Sequence, residues 1–238
     1  MPPVSDATPR IRHRRRRSIR RAVIGWVVGV LVVALISGAV WLVGFSSVFA
    51  AAEVRITGVE VLSSEEVASA AEVPLGTPMA RIDLDQIRER VAALPPVREV
   101  EVTRTLPDLI VITVTERTPV YAVKQNGADG YLLVDVEGVA YTTVTSPPPE
   151  LLVATAANAD LLADIAVVVA DLPEELRDLV RSISAETKDS IELELTKGRT
   201  VVWGSADQGP LKAQVLAVLL KEKGSVYNVS APERPAVR

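Results

Sequence analysis

Two pairs of carboxylates are the residues of this 238-residue chain whose spacing suggests chemistry. Asp83 and Asp85 form a D-x-D that could open a calcium site, and Asp135 and Glu137 flank a turn where two carboxyl groups could act as acid and base. Neither pair has the company such chemistry needs. The spacing beyond Asp85 lacks the rest of a calcium loop, and Asp83 is well placed to cap a helix through Gln86. Strand alternation sets Asp135 and Glu137 at a solvated hairpin tip.

Nucleophiles and soft metal ligands are scarcer still. The one histidine, His13, lies among arginines, and there is no cysteine. Beyond residue 13 a Ser-His-Asp triad, a Cys-His pair, His- or Cys-ligated zinc and a disulfide are therefore impossible. The motifs Ser-x-x-Lys, G-x-x-x-x-G-K-[ST] and G-x-G-x-x-G are absent as well. These absences mark no metal or cofactor site and leave any catalysis to rest on carboxylates. Glu116 and Arg117 fit either an exposed functional surface on a strand or a pair of charges that discourages edge-to-edge aggregation. Pro147–Pro149 fit a stiff linker better than a polyproline ligand.

The charge distribution says where the chain sits. Residues 1–21 hold eight arginines against Asp6, a net +7, which leaves −11 for the remainder of a chain whose total is −4. From Ala22 to Ala52 no charge occurs, and about 20 such residues cross a hydrocarbon core. The apolar run exceeds the 7–15 residues of a signal-peptide core, so a retained helix at 22–46 is expected, with Trp26 and Trp41 near its two interfaces. The arginines before it place the N-terminus in the cytoplasm by the positive-inside rule. Nucleic-acid binding by the basic tail lacks accompanying aromatics or a scaffold, so the tail reads as a topology signal in contact with anionic lipid.

Residues 53–118 have the order β-α-α-β-β. Val54–Val61 alternate as a strand. Ser63 and Glu66 are spaced as a capping box for a helix ending near Val73–Pro74, and Asp83 caps a second helix stopped by Pro95–Pro96. Val97–Arg104 and Leu109–Thr115 then alternate on either side of a turn at Thr105–Asp108. From Tyr121 a β-meander follows, with turns at Asn126–Gly127, Asp129–Gly130 and Asp135–Gly138. Asn158–Asp171 should be helical, with a shorter helix from Pro173 to near Arg181. A hairpin is expected about Lys197–Gly198, then a helix over Leu211–Lys223 opened by Pro210, and a last short strand at Tyr227–Val229.

Several segments together resemble the bacterial cell-division family FtsQ/DivIB: ITGVEVLSSEEV after the apolar run, PLGTPMARID, LPPVREVEVTRTLPDLIVITVTERTPV, LLVDVEGVAY and YNVSAPERPAVR. The third is the most specific, pairing an Arg-x-x-Pro turn (Arg104, Pro107) with a strand closing in Glu-Arg-x-Pro (Glu116, Arg117, Pro119). Leu106 departs from the aromatic residue common before that first proline.

The resemblance implies an α+β protein: a basic tail at 1–21, a transmembrane helix at 22–46, a POTRA domain at 53–120, and a mixed, mainly antiparallel β-domain with helices at 121–238. It implies a non-enzymatic scaffold of the divisome at the septum, without a cofactor, that binds FtsB-like and FtsL-like bitopic proteins, with neither nucleic acid nor a small-molecule substrate. The partner strand is expected to add to a sheet edge formed by Tyr227, Asn228, Val229, Ser230, Ala231, Glu233, Arg234 and Val237. Two other classes compete: a membrane-anchored cell-wall hydrolase, and a translocation component carrying a POTRA domain. The chain shows one POTRA copy and no barrel.

Overall fold

The computed structural model describes residues 9–125 and 129–238, so the turn expected at Asn126–Gly127 and the first eight residues lie outside the described residues. A long helix α1 spans Pro9–Phe45, and its apolar part, Val23–Leu42, has a mean hydropathy of 2.6. Arginine is a good helix former, so the helix begins upstream of the apolar run. The described side chains of this part are exposed, and its length and composition suffice to cross a membrane.

By mutual Cα proximity the chain forms two compact units. The first comprises residues 1–57, 64–90 and 101–113; the second comprises 58–63, 91–100 and 114–238.

The order β-α-α-β-β is found as β1 (Glu53–Thr57), α2 (Ser64–Ala71), α3 (Leu84–Ala92), β2 (Val97–Thr105) and β3 (Leu109–Glu116). The sheet order is β1-β3-β2, with β1 parallel to β3 from Glu53–Leu109 to Thr57–Thr113. β1 ends earlier than its alternating pattern suggested. Gly58 has φ +82°, and a Cβ there would stand 2.0 Å from the Val114 carbonyl oxygen. The chain must turn away at that point, and only glycine permits it. Asp83 caps α3 as expected, its Oδ1 accepting from Asp85 N (3.0 Å) and Gln86 N (3.2 Å).

The second unit is built on a mixed sheet. The meander is β4 (Pro119–Lys124), β5 (Tyr131–Asp135) and β6 (Ala140–Val144), all antiparallel. Next come β7 (Leu152–Ala156), α4 (Leu162–Asp171), α5 (Glu174–Arg177), β8 (Val180–Ala185), β9 (Ile191–Leu195), β10 (Arg199–Gly204), α6 (Gly209–Leu219), β11 (Val226–Asn228) and β12 (Ala236–Val237). Among the described residues the sheet order is β12-β11-β10-β9-β8-β7-β4-β5-β6. Its core gathers Tyr121, Ile165, Val168, Ile183, Leu193, Trp203 and Leu216.

Two strands differ from expectation. β7, a segment with no element assigned from the sequence, is a central strand parallel to both β4 and β8. Its alanines and threonine hid it. β8 replaces the end of the helix expected to reach Arg181. A register shift between Val180 and Ser182 breaks the period-two pattern that would have marked it.

Candidate partner interface

The residues after Gly224 build one free edge of the large sheet. β11 runs parallel to β10, with Val201 opposite Tyr227. The chain turns through Ala231–Arg234, where Arg234 N donates to Ala231 O at 2.9 Å. It returns as β12, with Tyr227 opposite Val237 and Asn228 opposite Ala236. Arg238 N donates to Val226 O at 2.9 Å, and Val226 N donates to Arg238 O at 3.0 Å. Because Arg238 and Val226 exchange both bonds, neighbouring Val237 turns its own N–H and C=O to the open side of β12.

The eight residues expected to form the edge divide into three groups. Tyr227 and Val229 are core residues, and the Tyr227 hydroxyl donates to the carbonyls of Glu222 (3.0 Å) and Gly224 (3.1 Å). Ser230, Ala231, Glu233 and Arg234 are exposed, while Asn228 and Val237 are half-buried. Asn228 Oδ1 accepts from Ser230 N (3.0 Å) and Ser230 Oγ (2.8 Å), which shapes the departure from β11. Gly204, with φ +80°, makes room for this bend: a Cβ on it would lie 2.8 Å from Ser230 Cβ. The outermost strand, β12, was not foreseen, because two residues between prolines and a terminus carry no periodic signal.

A charge cluster elsewhere in the second unit overturns two expectations. Asp135 is not at a solvated tip. It is 1% exposed and salt-bridged to Arg117, and its Oδ1 accepts from the N–H groups of Glu137 (2.9 Å) and Val139 (2.8 Å). Burial pushes its carboxyl pKa up, but the Val139 N–H, the Arg117 guanidinium and the Glu137 N–H together hold it below the ordinary value. Arg117 also donates to Glu137 (3.2 Å), which in turn accepts from Arg98 Nη2 at 2.9 Å. Glu116 is not a free edge charge either: its carboxylate accepts from Val61 N and Leu62 N, both at 2.9 Å. Glu116 and Arg117 are therefore structural.

Lys212 was overlooked. It is 1% exposed on α6, with Nζ donating to Ser205 O at 2.8 Å and standing 5.9 Å from the Trp203 ring centre. Burial lowers its pKa, against the charges of Asp207 and Asp189. No motif marks such a lysine. Among the described residues no group of three or more His, Cys, Asp or Glu side chains could hold a metal ion.

An apolar N-terminal helix, a small β-α-α-β-β fold and a large mixed sheet with a free edge define an α+β protein whose first helix is long and apolar enough to anchor it in a membrane. A profile of the FtsQ-type POTRA domain matches residues 49–117, and one of the FtsQ/DivIB C-terminal region matches residues 122–231. The cell division protein FtsQ of Streptomyces bingchenggensis is 38% identical over 95% of this chain and 89% of its own length. That of Mycobacterium leprae is 40% identical over 77% of this chain and 54% of its own length. The chain belongs to the FtsQ/DivIB family and is a non-enzymatic component of the divisome. The solved extracytoplasmic domain of DivIB from Geobacillus stearothermophilus is 16% identical, covering 42% of this chain and 87% of that one with a TM-score of 0.35.

Proposed function

We propose that this divisome protein works as a single-pass scaffold at the septum, N-terminus in the cytoplasm, and that a strand of an FtsB-like partner docks on the outer edge of β12. FtsL-like proteins join through the same assembly. The tail is taken as 1–21, the anchor as 22–46, and the exported domains as 53–120 and 121–238. Support for the orientation comes from the eight arginines before the apolar run, since positive charge is retained on the cytoplasmic side. The observation that carries the docking site is the open hydrogen-bonding side of Val237, which an added strand would satisfy while neighbouring side chains supply specificity.

Truncation after Gly224 is a poor test, because it deletes Tyr227 and Val229 from the core. Val237→Pro is sharper. It removes an outward N–H that the fold does not use, and proline is tolerated with that side facing solvent. Binding of the exported region to an FtsB-like peptide should weaken about 3- to 10-fold, the worth of one hydrogen bond. Unchanged affinity in a variant with native circular dichroism would move the partner site away from this edge.

A further inference from the structure

Three exposed apolar side chains gather where the chain leaves α1: Val48 at 65%, Leu75 at 60% and Leu106 at 68% exposure. They come from three separate loops, and all belong to the first unit. Backbone hydrogen bonds stitch these loops to the exit segment. Gly76 N donates to Ala51 O at 2.8 Å, and Ala51 N donates to Thr77 O at 3.0 Å, which fixes the loop carrying Leu75. Ala52 N donates to Asp108 O at 2.8 Å, which fixes the hairpin tip carrying Leu106. Arg104 then ties the hairpin to the same loop, its Nε donating to Met79 O at 2.9 Å and its Nη2 to Ile82 O. The turn Met79–Arg81 packs against α1 itself.

Distance makes this arrangement informative. The apolar part of α1 ends at Leu42, and Val48 follows after a length of about 9 Å at helical rise. The polar interfacial layer of a leaflet is itself roughly 5–8 Å thick. Val48 therefore stands at the outer edge of that layer, and with no charge before Glu53 the exit segment forms no polar spacer. Loops pinned to it lie at the level of the lipid headgroups, where exposed leucine and valine gain from contact with acyl chains.

We propose that this end of the first unit is a lipid-facing surface, with Val48, Leu75 and Leu106 entering the interface of the leaflet from which α1 emerges. The occupant is the bilayer around the anchor, because the patch is continuous with the membrane-spanning helix through Ala50–Glu53. The consequence is orientational: the first unit rests on the membrane instead of turning freely on a tether. The inference depends on α1 being a membrane anchor.

The absence of native cysteine allows the full-length chain to report single positions. Val32→Cys, Leu75→Cys and Leu106→Cys are each labelled with an environment-sensitive dye and reconstituted in phospholipid nanodiscs. Nitroxide lipids and aqueous iodide serve as opposing quenchers. The expected result is strong lipid-borne quenching at all three positions, deep for 32 and shallow for 75 and 106, with iodide quenching at 75 and 106 several-fold below that of the dye–cysteine adduct in buffer. Positions 75 and 106 quenched by iodide as freely as the adduct, with 32 still lipid-quenched, overturn the lipid-facing surface while leaving the anchor intact. An aqueous position 32 overturns both.

Discussion

Arg117 is salt-bridged to Asp135, and the carboxylate it meets is 1% exposed. An ion pair so placed contributes little net stability when whole, yet is costly to halve, because an unpaired charge is left out of water.

Arg117→Ala should therefore destabilise the fold by about 3 kcal/mol, toward the lower limit for a broken buried pair because Arg117 retains some exposure. Arg117→Lys should recover only part, since a single ammonium cannot hold Asp135 and Glu137 as the planar guanidinium does. Glu137→Ala, whose side chain is half exposed, should cost less than about 1 kcal/mol. Urea denaturation of the three variants measures the order. Equal losses for Arg117→Ala and Glu137→Ala would remove Asp135 from the account.

Acid stability should follow the same carboxylate. Its folded pKa is lowered relative to the unfolded chain, so its contribution is complete above the unfolded value of about 3.9 and is lost as pH falls through the folded value. Asp135→Asn should flatten the pH dependence of unfolding free energy below pH 4, and should lower stability at neutral pH by leaving Arg117 with Glu137 alone. An acid limb as steep as that of the unmodified chain would contradict this.

Lys212 predicts the opposite behaviour at high pH. A lysine whose folded pKa is lowered binds fewer protons folded than unfolded, so the lysine penalises folding at neutral pH. That penalty fades as pH rises from the folded pKa towards the ordinary lysine value of about 10.4. Lys212→Met should abolish this alkaline gain while leaving Ser205 O without its donor, so the change at pH 7 should be small. Thermal melts from pH 7 to 10 would show the gain in the unmodified chain and its absence in the variant.

Gly138→Ala should be among the most damaging single-methyl additions in the second unit. Its φ is +80°, and a Cβ would lie 2.4 Å from Ala163 Cα on α4, backbone that cannot swing aside. A cost above about 1 kcal/mol is expected from the left-handed backbone alone, with the clash added. Gly198→Ala is the control: φ is +68°, but no atom lies within 4 Å, so only the backbone cost remains. Similar losses at both sites would show that α4 yields.

The order of elements in residues 53–118 was legible because helices and strands there carry their local signals intact. Asp83 with Gln86 marks a helix start, Pro95–Pro96 a stop, and β3 alternates without interruption. The apolar run and the arginines before it are compositional, so length and composition alone marked the long apolar helix. The exclusion of triads and thiolate chemistry followed from residues that are simply missing.

Tertiary structure decided what depends on neighbours distant in sequence. β7 and β8 became central strands because parallel pairing with β4 and with one another places them inside the sheet; β7 alternates in burial but its small alanines give little contrast in the sequence, and the bulge in β8 breaks its period. Asp135 became a buried anion because Arg117, 18 residues earlier, is folded against it; a hairpin motif seen alone places the same carboxylate in water. Likewise the sequence placed a strand at Tyr227–Val229, but the return of Ala236–Val237 onto it separated core from rim. Tyr227 and Val229 went inward, and the open hydrogen-bonding side fell to Val237. Composition and local periodicity are properties of adjacent residues and survive in the unfolded chain; burial, charge pairing and the identity of an edge exist only once remote segments meet.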